Sequence, residues 1–328
     1  MKKVLSLILA LAMVFALVAC GEKQPASDGD ASGDGDKPAR GNVIMTFGTA
    51  DTGGSMYPAG AAVSQVWTNN VQGVKCNTQT STGSFQNCQD VSTGEVDVAV
   101  ATSDVVLNAY NGTGKFADIG KLDNLRVIGA VYTSVLSGVA LKSSGLTYIH
   151  DLLGKRVAVG PAASATENAT LAAFAAMDIT KDNTSLENLG LGDGILDAAF
   201  GFAGLPIGGQ LNLAATKEIQ VLDMTQEEID KVLAGNAAYI QTKIPAGTYT
   251  GQDNDANTFG VKCLIIVTAD MDADLVYDLC KAMNEHTEEM AAGNALLKDM
   301  TDPSFLCTQM PIPLHDGAQK YYSEQGLI

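Results

Sequence analysis

The chain has 328 residues, 46% hydrophobic and 17% charged, with a formal net charge of −17 at pH 7. That is enough apolar sequence for a sizeable core, in one large unit or in two lobes. Only three arginines occur, Arg40, Arg126 and Arg156, and without a basic patch the acidic balance argues against a nucleic-acid partner.

Lys2 and Lys3 precede an uncharged apolar run, Val4 to Val18, which leads into Ala19-Cys20. The run falls short of the roughly 20 residues that span a bilayer, so it reads as a secretory signal peptide over 1–19, cleaved before Cys20. The stretch 20–42 (GEKQPASDGDASGDGDKPARGN after the cysteine) is Gly, Asp, Ser and Pro with no aromatic residue, a flexible acidic tether. Asp28, Asp30 and Ser32-Gly33 mimic the opening of a calcium loop. Ala39 stands where the bidentate Glu belongs, so no metal site is expected there.

Strand and helix signals then alternate. Val43–Gly48 reads as a strand, and Gly53-Gly54-Ser55 opens a helix with Ala62, Val63, Val66 and Trp67 on one face. Strands follow over 74–80 and 96–101, each leading into a helix, the first opened by Ser84 and the second running through Val105, Val106 and Ala109. A long β-rich stretch covers 126–142. The pattern restarts at Arg156–Gly160, with a capping box at Ser164 to Glu167 and another at Thr225 to Glu228. Strands are expected over 196–202, 219–222 and 259–268, a helix over 206–215, and one long helix over 272–298. This order predicts an α/β chain of two lobes, each a largely parallel sheet flanked by helices, with hinge strands between them. The first lobe takes 43–140 plus 269–328 and the second 141–268 with the hinge strands.

Three turns share one design, a strand end followed by Gly, Ser and Thr at a helix start: Gly48–Ser55, Thr80–Ser84 and Gly160–Thr166. Each offers backbone N–H groups and hydroxyls where a helix N-terminus favours anions, and ligands bind at such strand ends in open α/β sheets. None has nucleotide-loop spacing, and no nucleophile pairs with His150, His286 or His315, so neither an enzyme nor a cofactor is expected. With Cys20 set aside, Cys76, Cys88, Cys263, Cys280 and Cys307 remain. Cys76 and Cys88 read either as a disulfide or as two buried thiols.

Residues 17–20 resemble a bacterial lipobox. The resemblance implies lipidation of Cys20 and an extracytoplasmic protein anchored to the cell membrane. The folded part resembles the TAXI group of TRAP-transporter solute-binding proteins. It does so through Gly48-Thr49, Gly53-Gly54-Ser55, Tyr57-Pro58, Thr82-Gly83-Ser84 with Asn87, Ser103-Asp104, Leu152–Pro161, Ser164 with Thr166, and Asp197–Phe200 with Ala203-Gly204 and Pro206. That resemblance implies a periplasmic-binding-protein-like fold that closes on a small organic anion or amino acid, glutamate-like by preference. It also implies a monomer that delivers the solute to a TRAP-type membrane permease. The ligand contacts it implies are Thr49, Ser55, Tyr57, Ser84, Asn87, Ser103, Tyr132, Ser164, Thr166 and Phe200. The alternatives are a binding protein of an ABC-type importer or a ligand-sensing lipoprotein. Asp51, Met56, Thr102 and Gly201 depart from the group's pattern. Since Arg126 and Arg156 begin strands, no arginine is expected to clamp the ligand.

Overall fold

The computed structural model describes residues 41–52, 54–162, 164–189 and 196–328. The signal segment, Cys20, the tether through residue 40 with Arg40, and the turn residues Gly53 and Ala163 lie outside the described residues.

The first half of the chain runs β1 (Val43–Gly48), α1 (Met56–Asn70), β2 (Val74–Gln79), α2 (Ser84–Thr93), β3 (Val98–Thr102), α3 (Ser103–Asn111) and the long β4 (Leu125–Leu141). The second half begins with β5 (Arg156–Ala158), α4 (Ala165–Ala176), β6 (Ser185–Glu187), β7 (Ala198–Ala203), α5 (Gly208–Ala214), β8 (Ile219–Val221), α6 (Gln226–Gly235) and β9 (Tyr239–Ile244). It returns through the long β10 (Ala256–Thr268) and closes with α7 (Ala273–Glu285), α8 (Thr287–Gly293), a 3₁₀ segment (Ala295–Thr301), α9 (Pro303–Cys307) and α10 (Asp316–Glu324).

One strand order occurs twice. In the first lobe β1 pairs in parallel with β2 and β3, and β10 inserts antiparallel between β3 and β4. In the second lobe β5 pairs in parallel with β6 and β7, and the end of β4 inserts antiparallel between β7 and β8. The parallel core of each lobe is therefore flanked by an antiparallel strand that arrives from the other lobe, a feature the alternating pattern does not reveal. β4 and β10 each run through both lobes. Leu125 to Tyr132 pack into the first lobe's cores and Val135 to Ala140 into the second's.

The ten strands form one hydrogen-bonded sheet, and the part of it in each lobe is covered on both faces. In the first lobe Val63, Val66 and Trp67 of α1 pack with Leu279 and Met283 of α7 on one face. Cys88 and Val91 of α2 pack with Val106 of α3 on the other. The C-terminal helices thus complete the first lobe. In the second lobe Phe174 of α4 and Ile229 of α6 cover one face, and Ala214 of α5 the other. Apolar residues at helical spacing give these helices one buried stripe each.

The single helix expected over 272–298 is two helices and a 3₁₀ segment. His286 leaves helical geometry at φ −115, ψ 19, and Asn294 is extended at φ −149, ψ 106. Asn294 then caps the next turn by accepting from the Leu296 N–H, so local side-chain bonding ends the helix where the apolar period would continue it.

Candidate functional site

The turns after β1, β2 and β3 are stapled to one another. Thr49, fully buried, donates its hydroxyl to the Gln79 carbonyl at 2.7 Å. Its own carbonyl accepts from Ser81 Oγ at 3.0 Å and from Asn87 Nδ2 at 2.6 Å. Asn87, also fully buried, sends the other proton of that nitrogen to the Val100 carbonyl at 2.6 Å. Ser84 Oγ accepts from the Thr102 N–H at 3.0 Å. Ser103, at the head of α3, donates to the Ala238 carbonyl at 3.1 Å and so joins the first lobe to the segment that enters β9.

These bonds assign Thr49, Ser84, Asn87 and Ser103 to holding the turns in shape. Ser55 and Tyr57 differ: both are half-buried, and no side-chain hydrogen bond holds the N-cap Ser55 of α1. The N-cap of α2 is Gly83, which has no side chain to cap with. The first-turn N–H groups of both helices are therefore left without a capping side chain.

The second lobe repeats the device. Gly160, in the left-handed region at φ +104, turns the chain out of β5. Ser164 caps α4 by accepting from the Glu167 N–H at 3.1 Å. Thr166 Oγ1 accepts from the Phe202 N–H at 3.2 Å, which ties α4 to the end of β7. Asn188 Nδ2 bonds both the Gly160 carbonyl and Glu167, a brace that the sequence pattern does not signal.

Two of the ten residues sit among core side chains. Phe200 meets Phe174 edge-on at 5.4 Å and covers Gly138 in the second lobe's core. Tyr132 is buried in β4, its hydroxyl within reach of Cys263 and Ser134, and burial pushes its pKa well above the ordinary value. Its phenol is therefore neutral.

Arg126 begins β4 and spends its guanidinium on the Asp123 and Leu125 carbonyls, and Arg156 begins β5. Both lie at strand starts, away from the turns described above. Asp51 is exposed. The five described cysteines are free and buried, with Cys76 and Cys88 in the cores on opposite faces of the first sheet. His150 stacks on Tyr148 and bonds Glu228 at 2.7 Å, and buried His315 caps α10. Among the described residues no group of three or more His, Cys, Asp or Glu side chains could hold a metal ion.

Two lobes of repeated strand order, joined by crossing strands and bearing helix N-termini at their strand ends, make an α/β periplasmic-binding-protein-like fold. Residues 47–326 match the model of the NMT1-like family, and the chain belongs to that family. Among solved structures, the alkanesulfonate-binding protein of Xanthomonas axonopodis pv. citri is similar at 14% identity and a TM-score of 0.45, covering 88% of this chain and 85% of that one. The periplasmic aliphatic sulphonate binding protein of Escherichia coli is similar at 12% identity and a TM-score of 0.44, covering 87% and 78%. A probable amino-acid ABC transporter extracellular-binding protein of Bacillus subtilis is similar at 15% identity and a TM-score of 0.45, covering 79% and 96%.

Proposed function

We propose that this protein is an extracytoplasmic solute-binding lipoprotein of the TAXI type. It is anchored through Cys20, captures a small carboxylate or amino acid by lobe closure, and delivers it to a TRAP-type permease. The observation that carries this reading is the pair of mirrored turn networks, one in each lobe, on a fold whose two lobes are joined by β4 and β10. Turns held rigidly by their own hydrogen bonds present N–H groups and hydroxyls in fixed directions, as a binding site requires.

In this reading Ser55, Tyr57, Ser164 and Thr166 touch the solute, while Thr49, Ser84, Asn87 and Ser103 set the shapes of the turns. A carboxylate on the α1 and α4 N-termini needs no arginine, since each charge-assisted hydrogen bond contributes about 1.5–3 kcal/mol. Contacts made only in the closed form would drive closure as a population shift, giving the permease a loaded state to recognise.

The test is thermal unfolding of the purified protein against a panel of amino acids and small carboxylates. A solute at about 100 times its Kd adds roughly 2.7 kcal/mol and raises Tm saturably. No stabilisation by any member of the panel counts against the reading.

A further inference from the structure

The 3₁₀ segment Ala295–Thr301 runs for 7 residues, longer than this geometry usually persists, and it follows the breaks at His286 and Asn294. With three residues per turn, side chains at i and i+3 stack in ridges. One ridge is Leu297 and Met300, both fully buried in the first lobe's core. The next is Leu296 and Asp299, and it reaches beyond the first lobe. Leu296 Cδ1 fills the place that a Cβ on Gly204 would take, with the Tyr132 ring 3.2 Å from the same point. Gly204 directly follows β7, so this contact joins the segment to the second lobe. Asp299 Oδ2 accepts from Thr133 Oγ1 at 2.8 Å. That bond ties the segment to β4 where the strand passes from the first lobe, at Tyr132, to the second, at Val135.

Beside this contact the lobes are not packed. A cavity of about 260 Å³ lies between them, lined by Leu205, Pro206, Lys243 and Thr248 of the second lobe and by Leu296 and Lys298 of the segment. Packed interiors leave few voids of this size, and a lobe can turn into such a space without displacing side chains. Gly204 presents bare backbone to Leu296, so the contact limits approach without interlocking.

We propose that the 3₁₀ segment is a strap that sets the angle between the lobes, with Leu296 seated on Gly204 as its stop. Leu297 and Met300 anchor the strap in the first lobe, Asp299 holds it to the crossing strand, and Leu296 bounds how closely the second lobe approaches. The consequence for function rests on the solute-binding reading. If binding needs one lobe angle, apparent affinity scales with the share of molecules that hold it. The strap then tunes affinity without touching the solute.

The experiment measures the distance between two spin labels, one per lobe, in solute-free protein. The labels go on Lys75→Cys in β2 and Lys217→Cys after α5, both exposed, in a Cys20→Ser background, while the five described native cysteines are buried. Leu296→Ala should move the mean distance one way and Gly204→Ala the other, each by more than about 2 Å, the scale of a domain rearrangement. Leu296→Met should keep the wild-type distance. Circular dichroism checks that each variant is folded. An unchanged distance in folded Leu296→Ala overturns the proposal. Shifts in the same direction from Leu296→Ala and Gly204→Ala also overturn it, because the contact then acts on packing alone. Should Gly204→Ala fail to fold, Leu296→Ala against Leu296→Met decides. No solute enters the measurement, so its failure leaves the solute-binding reading intact, and a solute panel without a hit leaves the strap intact.

Discussion

Asn87 and Thr49 are joined by a 2.6 Å hydrogen bond from Nδ2 to the carbonyl, and the same nitrogen reaches Val100 at 2.6 Å. One side chain on α2 thus fixes the turn after β1 against β3. Asn87→Leu takes one donor from each of two carbonyls, of which Thr49 keeps Ser81 Oγ and Val100 loses its side-chain partner, so unfolding free energy should fall by about 1–3 kcal/mol. Urea denaturation checks this. Retained stability would mean that water or a neighbour takes over both acceptors.

Gly204, in the turn after β7, leaves no room for a side chain beside Leu296 of the 3₁₀ segment. A Cβ on Gly204 would run into Leu296 Cδ1 and stand 3.2 Å from the Tyr132 ring. Gly204→Ala should destabilise by roughly 1–3 kcal/mol through overpacking. Adding Leu296→Ala should recover part of that loss in a double-mutant cycle. Additive losses would show that the two sites do not share this contact.

Lys262 is buried in β10, donates to the Phe305 and Thr308 carbonyls at 2.8 and 2.9 Å, and lies over the Phe305 ring. Burial lowers its pKa from 10.5 to about 8. The folded state therefore holds this proton less tightly than the unfolded state, and the resulting penalty is complete below pH 8. Between about 8 and 10.5 the unfolded chain carries the extra proton, so the wild type should gain stability relative to Lys262→Met as pH rises. Parallel denaturation curves of the two proteins across that window measure the gain, with an upper bound of about 3 kcal/mol. A constant difference would show that the lysine titrates normally.

Ser164 has a capping role that can be separated from its proposed ligand role. Ser164→Ala should cost about 1 kcal/mol of stability as a lost N-cap. Ser164→Asp retains an acceptor for the Glu167 N–H and should restore stability, yet it places a negative charge where a solute carboxylate is proposed to sit. Restored stability with weakened anion binding is the expected pair of results. Undiminished binding by Ser164→Asp would remove this turn from the site.

Much of the fold was legible as pattern. Val43–Gly48 emerges with the bounds read from its apolar run, and the crossing strands are visible as the long β-rich stretches around Val131 and Ile265. Three features were not legible. β6 is short and half-polar (Ser185-Leu186-Glu187), and β9 alternates Gln241, Thr242 and Lys243 at a sheet edge, so neither carries an apolar signal. The insertion of β10 between β3 and β4 depends on pairing across more than a hundred residues. The break at His286 hides inside an apolar period that continues through Met290.

At the site, Gly, Ser and Thr at helix starts revealed the turns but not the division of labour within them. Thr49 and Asn87 are hydrogen-bonded to one another and spent on structure, whereas Ser55 makes no capping hydrogen bond. Only packing distinguishes them.

The central claim is that the two lobes close on a solute. Small-angle scattering of the purified protein, with and without the solute that most raises its Tm, tests this directly. A smaller radius of gyration with the solute bound, reverting on its removal, is the predicted result. An unchanged radius at saturating solute, or conversion of the solute into a product, would contradict the account.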